Sequence, residues 1–137
     1  MAFQLSFQSR HKYSTRDSGL TVRTILSNGM QLVHCVASVD TGASVCLFQR
    51  ELADILHLDL ESGHLIRLST LVGPLLAFGH EIVLQTFDLA FQTTVYFSAN
   101  YGQERNLLGR FGWLQQVRLG IIDYDEDLYL GAYNDRA

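Results

Sequence analysis

Residues 39–44 of this 137-residue chain read Val-Asp-Thr-Gly-Ala-Ser, and the interpretation of the whole sequence depends on this stretch. Asp40 ends an apolar, strand-like run, where burying a lone carboxylate is costly. Gly42 permits a tight turn that brings backbone N–H groups close to that carboxylate. Thr41 can extend its hydroxyl towards a neighbouring strand. Taken alone, these residues fit either a polar turn at a strand end or a catalytic loop.

Length and composition indicate one globular domain. The hydrophobic fraction is 47% and the charged fraction 18%, which is not the composition of a disordered chain. The net charge of -4 argues against a nucleic-acid partner, and the longest uncharged apolar stretch, residues 69–79, is too short to span a membrane. Residues 1–16 lack a signal-peptide pattern, and two cysteines suggest reduced thiols in the cytoplasm. We therefore expect a single domain over residues 1–137, with its core at about 20–130.

The pattern of apolar residues predicts a mainly β fold. Asn28-Gly29 lies between two apolar runs, residues 20–26 and 31–39, and predicts a hairpin because both residues tolerate positive φ. Residues 48–58 place apolar side chains at steps of three and four, as in a helix, and residues 112–117 fit one or two helical turns. The other predicted strands, from their apolar runs, are residues 3–7, 63–71, 78–91, 93–98, 119–123 and 128–130.

A second motif, Asn106-Leu107-Leu108-Gly109-Arg110, follows later in the chain. Together with Asp-Thr-Gly-Ala-Ser, the helix and the long hairpin, it resembles the retropepsin-like aspartic proteases, above all their single-domain bacterial members. The resemblance covers about residues 20–130. It implies an all-β, closed acid-protease barrel with one short helix after the catalytic loop and one near the C-terminus. In that family the apolar-apolar-Gly strand supports the Asp-Thr-Gly loop from behind.

The resemblance makes Asp40 the catalytic residue of an aspartic endopeptidase that needs no cofactor. Such an enzyme uses two carboxylates about 3 Å apart, which cannot both ionise and therefore share one proton. The ionised carboxylate takes a proton from water, and the neutral one donates a hydrogen bond to the scissile carbonyl. This chain has one Asp-Thr-Gly, since Asp17-Ser18-Gly19 precedes its strand. The resemblance thus implies a homodimer with a peptide or protein substrate.

The residues around Asp40 take supporting roles from the same resemblance. Thr41 would reach the partner chain's backbone, and the Gly42 carbonyl would bind the substrate backbone. Ala43 lacks the hydroxyl that two-lobed members place beside the carboxylate, so we expect activity to extend towards neutral pH. Ser44 stands where some viral members have an aspartate that pairs with the arginine of the second motif. Arg110 therefore needs another partner.

The resemblance also implies a flap, a hairpin that folds over the substrate and excludes water. Residues 68–79 are the candidate, with Val72, Gly73 and Pro74 near the tip because Gly-Pro has turn chemistry. An ordinary buried hairpin is the alternative. The chain ends of such dimers commonly interleave as a small sheet, and the alternating residues 3–7 are the candidate strand.

Other functions have weaker support. Residues 123–127 have the every-second carboxylate spacing of a calcium loop but lack its glycine and final glutamate, and the five histidines lack zinc spacing, so no metal site is predicted. A dimeric binding or regulatory module without proteolysis remains the alternative to an enzyme, since a fold does not guarantee activity. The intact Asp-Thr-Gly favours the protease, because facing carboxylates would destabilise a dimer that did not use them.

Overall fold

A computed structural model describes residues 1–135, and most of these residues lie in ten strands. The strands are β1 (Ser9–Lys12), β2 (Thr21–Asn28), β3 (Gln31–Val39), β4 (Leu47–Phe48), β5 (His64–Thr70), β6 (Gly73–Thr86), β7 (Leu89–Ser98), β8 (Asn106–Leu108), β9 (Val117–Ile122) and β10 (Asp127–Ala132). One α-helix, α1 (Arg50–Ile55), and three 3₁₀ turns (Leu60–Ser62, Leu114–Gln116 and Asp123–Asp125) complete the described elements. The predicted mainly β class is confirmed.

Six strands close into a barrel. They are hydrogen-bonded in the order β2-β3-β8-β4-β7-β6, and β6 pairs back onto β2 with Thr24 opposite Thr86. The barrel interior is filled by side chains without solvent exposure, including Leu26, Leu84 and Phe97. The buried Trp113 donates its indole N–H to Thr86 Oγ1 at 3.2 Å, so its polar atom is satisfied inside the core. The closed barrel implied by the family resemblance is confirmed.

The hairpin predicted at Asn28-Gly29 is present, with its turn one residue later than predicted. Asn28 pairs with Gln31, so the turn consists of Gly29 and Met30. Gly29 has a φ of 60°, which glycine adopts without steric cost. The Asn28 side-chain amide donates to the carbonyl of Leu56 at 3.0 Å and ties the hairpin to the end of α1.

Both predicted helices are present but shorter than predicted. Phe48 pairs with Phe97 as part of β4, so the chain is still extended where the apolar spacing predicts a helix. The helix α1 ends before His57, which has a positive φ of 56°. Near the C-terminus, the predicted segment 112–117 forms only the turn Leu114–Gln116. No helix within residues 1–135 is long and apolar enough to cross a membrane.

The strand predicted at residues 3–7 is wrong for the single chain. The second sheet, with the order β1-β10-β9, begins at Ser9 instead. Phe3 and Leu5 are 87% and 71% exposed. An alternating pattern gives a strand only where a neighbouring strand accepts its hydrogen bonds, and residues 3–7 belong to neither sheet of the described residues.

The break in the long predicted hairpin also lies elsewhere. The sequence predicts strands at residues 78–91 and 93–98, whereas β6 ends at Thr86 and β7 begins at Leu89. Phe87, in the turn, has a positive φ of 55°, which an aromatic residue rarely adopts. Its ring stacks on His11 of β1 with centroids 3.5 Å apart, and this long-range contact has no signal in the local sequence.

Candidate active site

Asp40 lies at the end of β3, and its own carboxylate organises the turn that follows. Asp40 Oδ1 accepts backbone N–H groups from Gly42 at 3.0 Å and from Ala43 at 3.2 Å. The Asp40 N–H donates to the carbonyl of Leu108 at 3.0 Å, which continues the pairing of β3 with β8. The carboxylate is therefore fixed by backbone atoms, and Oδ2 has no hydrogen-bond partner within residues 1–135.

The second motif packs directly behind this turn, which we call the Asp40 loop (residues 40–45). A Cβ atom on Gly109 would lie 2.1 Å from the Val45 carbonyl oxygen and 2.9 Å from that of Ala43. Glycine is therefore required for this close approach. Arg110 donates its N–H to the Ala43 carbonyl at 2.9 Å, and Phe111 donates to that of Ser44 at 2.8 Å. The two sequence motifs are thus joined by backbone hydrogen bonds.

Most of the other motif residues near the loop are exposed, whereas Asn106 is buried and donates its side-chain amide to the Val36 carbonyl at 3.1 Å. Thr41, Gly42 and Ser44 are exposed, and Ala43 is half-buried. Arg110 is also exposed and pairs with no carboxylate of residues 1–135. Its guanidinium lies 5.8 Å from the centroid of the Phe111 ring, which is a favourable cation–π distance. Within one chain, that aromatic ring takes the place of the expected acidic partner.

The β5–β6 hairpin carries the predicted flap residues. Its turn consists of Leu71 and Val72, because Thr70 pairs with Gly73. Gly73 has a φ of 118°, a conformation that favours glycine. Pro74 pairs with Ser69 inside the hairpin, so Val72 alone of the three predicted tip residues lies in the turn. Leu71 and Val72 are fully exposed, which distinguishes this hairpin from a buried one.

An open cavity of about 460 Å³ separates the Asp40 loop from this hairpin. Leu68, Ser69 and Thr70 line it on the hairpin side, opposite Asp40 and the residues that follow. Leu47 and Leu107 add apolar walls, and Asp40 is the only ionisable residue among those that line it. A carboxylate in such a cleft can bind a water molecule and accept its proton, but a second group must supply the acid.

Two of the residues that line this cavity, Val45 and Leu47, were not among the predicted site residues. Val45 and Leu47 alternate after the motif and could have been recognised from that spacing, since residues two apart in an extended segment face one side. Leu68 was the first residue of the predicted flap segment. Its position opposite Asp40 depends on the barrel closing, for which the local sequence holds no signal.

The buried thiol of Cys46 lies beneath the Asp40 loop. The Gly109 N–H donates to Cys46 Sγ at 3.4 Å, and burial raises the pKa of this thiol to about 12. At neutral pH the thiol is protonated, which is unfavourable for a nucleophile.

Comparison with solved structures identifies the fold. The chain is similar to a retropepsin-like aspartic protease from Rickettsia conorii, with 20% identity and a TM-score of 0.65 over 96% of this chain and 100% of that one. It is also similar to the EIAV protease in complex with an inhibitor, with 13% identity and a TM-score of 0.54 over 72% of this chain and 88% of that one. No family model and no curated protein matches the sequence. The chain has a retropepsin-like fold.

Proposed function

We propose that this chain is an aspartic endopeptidase that acts as a homodimer and activates water between two Asp40 carboxylates. The observation that carries the proposal is the fixed carboxylate of Asp40, whose Oδ1 is held by two backbone N–H groups and whose Oδ2 is unpartnered within residues 1–135. It lies in an open cavity beneath a hairpin. The retropepsin-like fold of the chain supports the same reading.

The chemistry follows from two such carboxylates sharing one proton across a two-fold axis. The ionised carboxylate removes a proton from water, and the resulting hydroxide attacks the scissile carbonyl carbon. The neutral carboxylic acid donates a hydrogen bond to the carbonyl oxygen, which stabilises a tetrahedral gem-diol. Its collapse breaks the C–N bond and transfers a proton to the leaving amine, so no covalent enzyme adduct forms.

The neighbouring residues assist binding and assembly. The exposed Thr41 hydroxyl bonds to the backbone of the partner chain, and the Gly42 carbonyl accepts a hydrogen bond from the substrate backbone. The β5–β6 hairpin acts as the flap, with Leu71 and Val72 at its tip. Leu47, Leu68 and Leu107 give the cavity the apolar walls that suit an apolar substrate side chain.

Substitution of the carboxylate tests the assignment. We expect Asp40→Asn to abolish cleavage of a peptide library while leaving the fold and the dimer intact, because the amide keeps the size of the side chain but cannot act as a base. Asp88→Asn is a suitable control, since Asp88 is an exposed turn residue that accepts a 3.3 Å hydrogen bond from Ser9. Full activity in purified Asp40→Asn would contradict the proposal. Peptides bound but never cleaved by the wild type would indicate the binding module instead.

A further inference from the structure

Phe111 is an aromatic residue on the face of the sheet that carries the cavity at Asp40. It forms a parallel bridge with Val45, and residues paired in this way turn their side chains to the same face. Val45 and Leu47 both line the cavity. Phe111 does not line the cavity itself, so its ring lies at the rim, beside Val45.

Exposure increases from the wall of the cavity to this rim. Leu47 is 5% exposed, Val45 is half-buried and Phe111 is 52% exposed. Single exposed apolar side chains are common on protein surfaces, so the exposure of Phe111 alone does not indicate a ligand. Its place is informative, because the ring continues the apolar wall of Val45 and Leu47 beyond the cavity.

The backbone holds the ring at this place. The Phe111 N–H donates to the Ser44 carbonyl at 2.8 Å, within the Asp40 loop. The next residue, Gly112, has a φ of 104°, and a Cβ atom on it would lie 2.8 Å from the Thr94 carbonyl oxygen. Glycine therefore lets the chain pass close to β7, and Phe111 is fixed between this contact and the Asp40 loop.

Arg110 borders the ring. Its guanidinium lies 5.8 Å from the ring centroid, and it forms no ion pair within residues 1–135. A substrate side chain placed against Phe111 would therefore meet an apolar surface beside a cation. Lysine and arginine are disfavoured there by like charge, whereas an uncharged apolar side chain gains from burial.

We propose that Phe111 forms a second, outlying subsite of the substrate cleft and selects a large apolar side chain there. The inference rests on the proposed function. An extended peptide turns every second side chain to the same side, so the residue against Phe111 is two positions away from the residue in the cavity at Asp40. Packing a leucine on the exposed ring removes apolar surface of both side chains from water, and a serine at that position gains little.

Peptides that differ in one residue test this selection. Starting from a peptide that the wild type cleaves, each residue near the scissile bond is replaced in turn by leucine, serine, lysine or glutamate. At one position that does not adjoin the scissile bond, we expect leucine to raise kcat/KM about fivefold over serine, because the burial on this rim is partial. The change should lie in KM, because the contact is present before the transition state.

Variants of the ring separate this subsite from other roles. Phe111→Ser should bring the leucine-to-serine ratio at that position to about one, whereas Phe111→Leu keeps an apolar side chain and should retain the preference. The ratio compares two peptides with the same enzyme preparation, so partial unfolding of a variant cancels. Arg110→Gln should leave this ratio unchanged and relieve the penalty on lysine. Met30→Ser, which removes an exposed apolar side chain at the β2–β3 turn, is the control and should keep the wild-type ratio.

Three results would overturn the subsite without touching the proposed function. They are a leucine-to-serine ratio that Phe111→Ser leaves unchanged, a wild type without any leucine preference at an outlying position, and a glutamate preference that Arg110→Gln removes. A weaker dimer with an unchanged ratio in Phe111→Ser would assign the ring to the interface between subunits instead. If the wild type cleaves no peptide at all, the proposed function itself fails and the subsite fails with it.

Discussion

Gly109 is the residue on which the geometry of the Asp40 loop depends most directly. A Cβ atom at this position would lie 2.1 Å from the Val45 carbonyl oxygen and 2.6 Å from its carbon, so the backbone itself would have to move. The same shift would disturb the bonds from Arg110 to Ala43 and from Phe111 to Ser44. The position of the Asp40 carboxylate thus depends on a residue without a Cβ atom, Gly109, in the other motif.

We expect Gly109→Ala to lower the free energy of unfolding by about 1–3 kcal/mol, as overpacked sites do, and to abolish peptidase activity. Gly42→Ala is the matched control, because a Cβ there meets only Asp40 Oδ1, at 3.4 Å. This control should keep its stability. Thermal unfolding of both variants measures the difference in stability, and kcat is measured for Gly109→Ala against the wild type. Equal stability of the two variants would contradict the packing argument.

The Cys46 thiol reports whether the Asp40 loop opens. Burial raises its pKa from 9.0 to about 12, so at pH 8 the folded protein holds a protonated and inaccessible thiol. We expect iodoacetamide to label Cys46 slowly in the native protein and quickly after unfolding, as mass spectrometry of pulsed samples would measure. Because the thiol has a higher pKa in the folded than in the unfolded protein, its contribution to the free energy of unfolding is fully present below pH 9. That contribution is lost as the pH rises from 9 to about 12. Fast native labelling at pH 8 would show that the loop opens.

Two hairpins, β2–β3 and β5–β6, end in exposed apolar residues, which allows a test at the level of elements. The β5–β6 turn exposes Leu71 and Val72 completely, and the β2–β3 turn exposes Met30 to 97%. The β5–β6 hairpin faces Asp40 across the cavity, as its residues 68–70 line it. We therefore expect the exposed apolar side chains at the β5–β6 tip to matter for function, and Met30 at the β2–β3 tip not to matter.

We expect the double variant Leu71→Ser, Val72→Ser to raise KM or lower kcat without changing the melting temperature. The side chains contribute nothing to the folded single chain because they are in water, but in the proposed enzyme they would close over the substrate. Met30→Ser is the control and should change neither property. Unchanged kinetics in the double variant would show that this hairpin is not the flap.

The elements also show which features the sequence determines. Asp40 and the Leu107-Leu108-Gly109 motif could be recognised because short segments carry them, and the β2–β3 hairpin because Gly29 permits its turn. The ends of α1 and β6 could not be placed, since they are set by partners far along the chain, such as Phe97 opposite Phe48. The cavity at Asp40 gathers residues from the segments 40–47 and 68–70 and from Leu107, so no local pattern indicates it as a whole.

At the scale of the whole molecule, residues near the two ends of the chain contact each other, while the side chains of Phe3 and Leu5 stay exposed. Lys12 Nζ lies 2.9 Å from Asp127 Oδ1, and the Tyr13 hydroxyl donates to Asp123 at 2.5 Å, which raises the pKa of Tyr13 to about 12. The acidic residues 123–127, whose spacing only partly matches a calcium loop, thus form hydrogen bonds and an ion pair with residues 12–15. Phe7 also packs against Tyr129, with ring centroids 5.6 Å apart.

The exposed, alternating Phe3 and Leu5 are the residues with which we expect a second chain to pair. Burying both side chains in a dimer would contribute about 1.5–3 kcal/mol each, whereas exposed ion pairs contribute about 0–1 kcal/mol and weaken with salt. The double variant Phe3→Ser, Leu5→Ser should therefore raise the dimer dissociation constant at least tenfold and leave the monomer equally stable, while high salt changes the wild-type constant far less.

Removing residues 1–8 outright would be less informative, because Gln8 donates its N–H to the Leu130 carbonyl at 2.9 Å and holds β10 within the same chain. Met30→Ser again controls for the loss of an exposed apolar side chain. Sedimentation of each protein at low and high salt measures the constant, and a value unchanged in the double variant would move the interface to the Asp40 loop and the β5–β6 hairpin alone.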